Sequence, residues 1–229
     1  MRIGAIQKFS MVDYPGKLSA IIFTQGCNFR CPYCHNPELV EPDKFQNTIP
    51  ISEIKYFLEK RKGKLSAVCI TGGEPTIHND LPEMIKIIKK MGFSVKLDTN
   101  GTNPQMLEKL INQEILDYIA MDIKAPLDKY PMVTNSEVNL KNIEKSIKLI
   151  RNSKVTYEFR TTVLKLFLNN NDLLKIRDLI SGAEKYYIQN FVSIKTLDNS
   201  LQNQELTTNL DLDIIKNDFR NYFDKFAVR

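Results

Sequence analysis

An α/β fold whose mainly parallel sheet curls into a partial (β/α)6 barrel is what this 229-residue sequence predicts. Three observations carry that prediction. Short apolar runs alternate with longer segments of helical period, and parallel strands need such crossover helices. The alternation yields six units, fewer than the eight that close a standard barrel. The residues just past the first four runs are polar, glycine-bearing or charged, and parallel sheets gather their chemistry at strand carboxyl ends.

The predicted strands, in order, are LSAIIF (18–23), LSAVCI (65–70), FSVKLD (93–98), LDYIAMDI (116–123), VTYEFRTTVL (155–164) and YYIQNFVSI (186–194). Helices fill the intervals. Asp80 caps one, with Glu83 three residues on and Gly92 ending it. Asn103-Pro104 opens the next, with Leu107, Leu110 and Ile111 on one face. Leu140, Ile143, Ile147 and Ile150 make a third apolar stripe. Asp172 starts a fourth helix, carrying Leu173, Ile176, Leu179 and Ile180 before Gly182. Residues 195–211 are polar and aperiodic and read as a loop. Leu212, Ile215, Phe219, Phe223 and Phe226 predict a final helix.

Composition fits one globular domain spanning 1–229: 42% of residues are hydrophobic and 26% charged, with no repeat, linker or low-complexity tract. The net charge of +5 is spread along the chain, which argues against a nucleic-acid partner. The opening MRIGAIQKFSMVDYPGK lacks the apolar core and cleavage site of a secretory signal. No run approaches the roughly 20 apolar residues that span a bilayer. The expectation is a cytoplasmic protein without membrane contact. Thiols stay reduced there, so clustered cysteines indicate metal or redox chemistry rather than disulfides.

Such a cluster stands in GCNFRCPYCHNPE, residues 26–38, as Cys27, Cys31 and Cys34. A closed zinc or iron–sulfur site takes four protein ligands. Either His35 completes a zinc site, or the three thiolates hold a four-iron cluster with one iron left open to a substrate. Cys69, in the apolar run SAVCI, reads as a core residue. His78, in TIHND, reads as an exposed loop residue.

This Cys-x3-Cys-x2-Cys motif, with Tyr33 before the last cysteine and Gly72-Gly73-Glu74-Pro75 after the second strand, resembles the radical S-adenosylmethionine superfamily. The resemblance implies a [4Fe-4S] cluster on Cys27, Cys31 and Cys34, whose open iron chelates S-adenosylmethionine and cleaves it reductively to a 5′-deoxyadenosyl radical. Gly72, Gly73 and Glu74 would meet the methionine amine, and His35 matches the CxYCHN stretch. Asp98-Thr99 and Asp122-Ile123-Lys124 narrow the likeness to glycyl radical enzyme activating enzymes. Asp98 and Lys124 would then contact the amino-acid part of the cofactor, and Asp98, Thr99 and Asp122 would hold a monovalent cation. Arg160 would lie on the ligand side of the fifth predicted strand. The family's later cofactor-binding histidine has no counterpart, since His35 and His78 are the only histidines.

The stretch SMVDYPGKLSAIIFTQGCNFRCPYCHNPELV, with TGGEPT, LDTNG and MDIKAP, is similar to the activating proteins of anaerobic ribonucleoside-triphosphate reductase. That likeness covers residues 9–130 and places Asp13 and Gly16 near a peptide substrate. It implies a glycyl radical enzyme as partner, of the anaerobic ribonucleotide reductase or pyruvate formate-lyase type, and a low-potential flavodoxin or ferredoxin as electron donor. Competing expectations are a small-molecule radical enzyme such as 7-carboxy-7-deazaguanine synthase, and a non-catalytic electron carrier or zinc protein.

Overall fold

The computed structural model describes residues 1–202, 215 and 218–229. Among the described residues eight strands form one sheet whose spatial order is the chain order. They are β1 (Ile3–Ser10), β2 (Ser19–Thr24), β3 (Ala67–Gly72), β4 (Ser94–Thr99), β5 (Tyr118–Asp122), β6 (Thr156–Val163), β7 (Lys185–Asn190) and β8 (Lys225–Val228). β1 runs antiparallel to β2, and every later pair is parallel. Among the described residues no pairing joins β1 to β8, so the sheet stays open as a partial barrel.

Six of these strands are the predicted runs shifted slightly, and the two edge strands were not predicted. In β1, Gly4, Gln7 and Lys8 interrupt the apolar signal, and two register shifts against β2 break its alternation. At β8 the sequence predicts helix, but Phe226 lies in the strand and Phe223 in the turn before it. The helical phenylalanine spacing has another cause: Phe219, Phe223 and Phe226 all pack around Tyr186 of β7, at ring-centroid distances of 6.1, 5.2 and 6.0 Å. Ile215 and residues 218–220 are helical; Leu212 and residues 203–211 of the predicted loop lie outside the described residues.

The helices are α1 (Pro37–Val40), α2 (Ile51–Glu59), α3 (Leu81–Lys90), α4 (Pro104–Asn112), α5 (Tyr130–Thr134), α6 (Leu140–Arg151) and α7 (Asn170–Leu179). Asn103 caps α4 by accepting the Met106 N–H at 3.1 Å. Asp80 sits at the α3 N-cap without a side-chain cap bond. The start of α7 lies earlier than Asp172: Asn169 is the cap and Asp172 answers it from the third position in a capping box.

Alternation along each strand separates two environments. Val68, Ile70, Val95, Leu97, Ile119, Met121 and Phe159 face the helices in the main core. Burying each such side chain contributes roughly 1.5–3 kcal/mol. The opposite, concave face carries Cys69, Lys96, Asp98, Asp122, Glu158 and Arg160. At the amino ends of the strands that face is closed by the β1–β2 turn. Tyr14 packs there with Ile21, Ala67, Cys69 and Tyr118, and the Cys69 thiol meets the Asp13 carbonyl at 3.2 Å. Asp13 and Gly16 belong to this turn, at the end of the sheet opposite the cysteine loop.

Candidate functional site

At the carboxyl ends of the strands the connections converge on one cavity with about 870 Å³ of empty space, its open mouth included. Cys27, Cys31 and Cys34 line it, as do Tyr33 and His35. From the other loops come Gly72, Gly73, Glu74, Asp98, Thr99, Asp122 and Lys124. Thus every predicted site residue except Arg160 reaches the cavity wall. Arg160 lies on the concave face of β6, bonded to two of those wall residues.

The cysteine loop follows β2 and is held from several sides. Gly26 (φ +98°) donates its N–H to the Leu39 carbonyl at 2.7 Å. Arg30 donates through its guanidinium to the carbonyls of Cys27 (2.7 Å) and Phe29 (2.8 Å), and its N–H reaches the Thr134 carbonyl of α5 at 2.9 Å. The Cys34 N–H closes a turn onto the Cys31 carbonyl at 3.0 Å. All four cysteines are free thiols. Burial pushes the Cys27 thiol up to about 12 and Cys31 up to about 11, and raises Cys34 as well. The protein alone therefore keeps them protonated, and a bound metal would displace the protons. Among the described residues no three His, Cys, Asp or Glu side chains converge closely enough for a single metal ion.

The Thr71–Pro75 loop abuts this segment so closely that glycine is required. A Cβ on Gly73 would lie 1.9 Å from the Gly26 carbonyl oxygen, and one on Gly72 (φ +115°) would lie 2.4 Å from the Thr24 nitrogen. Backbone bonds from Gly73 N–H to Thr24 (2.8 Å) and from Glu74 N–H to Gly26 (2.8 Å) seal the contact. Glu74 is buried and accepts four hydrogen bonds: from the Thr76 N–H (3.1 Å) and hydroxyl (2.5 Å), the Thr99 hydroxyl (2.8 Å) and the Asn100 N–H (2.6 Å). Burial pushes its carboxyl up, and these donors oppose that rise. Glu74 thus clasps the β3 loop to the end of β4. Asn100 continues the tie by donating to the Asn28 side chain at 2.9 Å.

Along the wall of the cavity and beneath it lies a ladder of buried and partly buried charges. Lys96, 1% exposed, bonds Asp98 Oδ1, and Arg160 Nη1 meets Asp98 Oδ2 at 3.3 Å. Arg160 Nε reaches Asp122 Oδ1 at 2.9 Å, and Lys124 Nζ reaches Asp122 Oδ2 at 3.0 Å. Glu158 approaches Arg160 at 4.0 Å and accepts the Tyr118 hydroxyl at 2.8 Å. Burial alone would raise Asp122, but Arg160 and Lys124 hold it well below the usual carboxylate range. Burial would likewise lower Lys124 and Arg160, yet the facing carboxylates hold both well above their ordinary values. Arg160 is therefore a concave-face residue rather than a solvated edge. All four oxygens of Asp98 and Asp122 face a cationic side chain.

Tyr33 packs against Phe167 at 6.0 Å, and its buried hydroxyl has no hydrogen-bond partner among the described residues. An orphaned polar atom on the wall of a cavity marks a place for a polar ligand. His35 stacks on Phe191 at 5.5 Å, and its Nε2 lies 2.8 Å from the Val192 carbonyl, which fixes the ring. His78 departs from its predicted exposure: it is half-buried, with Nε2 enclosed and unpartnered among the described residues. Lys96, Glu158 and Asn100 were missed in the sequence. Period-two alternation reveals the first two, because Lys96 and Asp98 share a face, as do Glu158 and Arg160.

Comparison with known proteins places this arrangement among relatives. The family model described as Radical SAM superfamily matches residues 21–180. A Methanocaldococcus jannaschii protein provisionally named a glycyl-radical enzyme activating enzyme is 32% identical over 234 residues, covering 99% of this chain and 95% of that one. The 7-carboxy-7-deazaguanine synthase of Aquifex aeolicus is 39% identical over 89 residues, only 38% of either chain. Among solved structures, Streptococcus suis SuiB bound to S-adenosylmethionine superposes with a TM-score of 0.67 over 91% of this chain and 49% of that one. At 13% identity it speaks to the fold alone.

Proposed function

Since the chain belongs to the radical S-adenosylmethionine superfamily, we propose that it is the activase of a glycyl radical enzyme, of the anaerobic ribonucleoside-triphosphate reductase type. The observation that carries this reading is the likeness to an activating-enzyme relative along nearly the whole of both chains, where the deazaguanine synthase likeness spans 38% of each. The superfamily implies a [4Fe-4S] cluster and S-adenosylmethionine, which when bound supply a 5′-deoxyadenosyl radical able to abstract a hydrogen atom.

The donor set fits both groups. Three thiols on one loop, Cys27, Cys31 and Cys34, would hold the cluster. Among the described residues Lys124 is the one lysine or arginine lining the cavity and would pair with the cofactor carboxylate, while Asp98 and the Gly72–Gly73 backbone would take its amine. Glu74 shapes this seat and adds negative charge through space, its oxygens being engaged by Thr76, Thr99 and Asn100. Tyr33 offers its free hydroxyl, and His35 holds the loop after the cluster to the β7 connection. Arg160 orients Asp98 and Asp122. A monovalent cation at Asp98, Thr99 and Asp122 would have to share oxygens with Lys96, Arg160 and Lys124. Comparing cofactor affinity in sodium and in potassium tests it: a difference supports the ion, equality removes it.

The protein, acting as one domain in an anaerobic cytoplasm, would draw a glycine-bearing loop of its partner to the cavity mouth. Glycine suits the task because its backbone can approach without a side chain. Among the described residues no helix is long and apolar enough to cross a membrane.

The deciding experiment supplies a peptide carrying the partner's glycine loop, deuterated at the glycine α positions, to anaerobically reconstituted protein. Deuterium in the 5′-deoxyadenosine, absent with a Gly→Ala peptide, supports the assignment. Label moving only from a purine-like small molecule would replace it with the deazaguanine-synthase class. No release of methionine and 5′-deoxyadenosine under any condition would point to an electron carrier or zinc protein.

A further inference from the structure

Helix α5 has five residues, yet Tyr130 and Thr134 within it are fully buried. Pro131 suits its first turn, and Asn135 ends it in the left-handed region at φ +46°, which asparagine tolerates better than most residues. Its two ends grip opposite halves of the candidate site. At the start, the Tyr130 hydroxyl accepts the backbone N–H of Lys124 at 3.1 Å, and the ring packs on Phe29 of the cysteine loop at 6.5 Å. At the end, the Thr134 carbonyl and the Ser136 hydroxyl together accept the Arg30 N–H, at 2.9 and 3.0 Å. The Thr134 hydroxyl donates back to the Tyr130 carbonyl at 2.8 Å, and the Ser136 hydroxyl donates to the Thr134 carbonyl at 3.0 Å. The left-handed turn at Asn135 brings those two acceptors onto one N–H. Arg30 carries the hold forward, its guanidinium reaching the Cys27 and Phe29 carbonyls at 2.7 and 2.8 Å. Hydrogen bonds and covalent chain thus connect Lys124 to Cys27 without a break.

We propose that α5 is a brace that fixes the spacing between Lys124 and the cysteine loop, with Arg30 as the positioning residue through which it acts. The inference rests on the proposed seat, in which the cysteines hold the cluster and Lys124 pairs with the cofactor carboxylate. One small ligand is then held from both sides, and an error of about 1 Å in such a spacing is costly. A short, buried helix bonded at both ends leaves little to flex. Its left-handed residue has a counterpart that separates strain from position. Among the described residues Glu114 is the other non-glycine with a positive φ, at +52°. Glu114 lies between α4 and β5, at the amino end of that strand, whereas Asn135 lies beyond the carboxyl end, where the cavity is. Both side chains are exposed. The same substitution at the two positions imposes the same kind of backbone strain, once on the brace and once away from it.

The test compares Asn135→Val with Glu114→Val in anaerobically reconstituted protein. A β-branched residue is strained at positive φ, so both variants should melt lower by similar amounts. Only Asn135→Val should bind S-adenosylmethionine about tenfold more weakly by calorimetry, the scale of one weakened charge-assisted bond. Only that variant, too, should release iron to a chelator several-fold faster with no cofactor added. Asn135→Gly, free to hold the same turn, should match the wild type in both measurements. Arg30→Met, which removes the donor to both carbonyls, should follow Asn135→Val. Equal affinity and equal iron release in Asn135→Val and Glu114→Val would overturn the brace. Should Asn135→Val not fold, Ser136→Ala removes one of the two acceptors of the Arg30 N–H, and wild-type affinity and iron release there would overturn it as well. A wild type that assembles a cluster yet binds no S-adenosylmethionine would sink the proposed chemistry instead, while the iron-release comparison would still decide the brace.

Discussion

Replacing Arg160 with methionine keeps most of the side-chain volume and removes one positive charge from the middle of the buried ladder. In the wild type three cations, Lys96, Lys124 and Arg160, face three carboxylates, Asp98, Asp122 and Glu158. Arg160 contacts all three carboxylates, at 3.3, 2.9 and 4.0 Å. The variant leaves an uncompensated buried negative charge, and breaking such a network by removing one partner costs about 3–5 kcal/mol. Lys96 and Lys124 still hold Asp98 and Asp122, so the lower end, about 3 kcal/mol, is expected. The loss should also depend on pH. In the wild type Asp122 titrates below its unfolded value, so its contribution is present above the unfolded carboxylate range, near pH 4, and declines as pH falls below it. In the variant one buried carboxylate should titrate above its unfolded value. The folded state then takes up a proton first, and stability recovers as pH falls from 7 towards 4, by at most about 1.4 kcal/mol per pH unit. Urea unfolding of both apoproteins across pH 4–7 measures the gap. A gap below about 1 kcal/mol, or one constant with pH, would refute the reasoning.

Alanine at Cys27, Cys31 or Cys34 should abolish the broad absorbance near ~400 nm after reconstitution, whereas Cys69→Ala should keep it, since that thiol meets the Asp13 carbonyl instead. A Cys69 variant without cluster would reverse the ligand assignment. Lys124→Ala should assemble the cluster yet bind S-adenosylmethionine roughly 10–100-fold more weakly by calorimetry, the scale of one lost charge-assisted bond. Unchanged affinity would place Lys124 outside the seat. Gly73→Ala should destabilise by about 3 kcal/mol or more, because its Cβ would stand 1.9 Å from the Gly26 oxygen. Gly63→Ala, with nothing within 4 Å of its Cβ but a φ of +73°, should cost only the roughly 1–2 kcal/mol of left-handed strain, and equal melting shifts would deny the close approach its importance.

What could be seen in the sequence was whatever interrupts a pattern. Three cysteines in eight residues, a double glycine after an apolar run, and Asp98, Asp122 and Lys124 at the ends of such runs all announce themselves, and the structure gathers them around one cavity. Arg160 was visible but ambiguous, because only its partners on β4 and β5 show which face it takes. Lys96 and Glu158 were hidden by treating each strand as a uniform apolar run, when a concave face that binds charge makes one of its sides polar. The Glu74 clasp could not be read at all, since it joins residues 25 positions apart through hydroxyls and backbone N–H groups. The edge strands escaped for a related reason. β1 is covered on one side only and can carry Gln7 and Lys8, and β8 is shaped by aromatic packing on Tyr186 rather than by its own period.

Because the strands lie in the sheet in the order in which they occur along the chain, each new strand finds its neighbour already made. For a parallel sheet this keeps sequence separations between partners short, which favours rapid folding and growth from the amino-terminal side during synthesis. The cysteine loop is bounded once β3 has paired with β2. The charge ladder is different, for Arg160 arrives 62 residues after Asp98. Until β6 docks, Asp98 and Lys96 have only each other, and Asp122 and Lys124 likewise. Pulse-labelled hydrogen exchange during refolding should show β2–β4 amides protected before those of β5 and β6. The thiols would then be assembled early, and the floor beneath them would be electrically complete only late in folding.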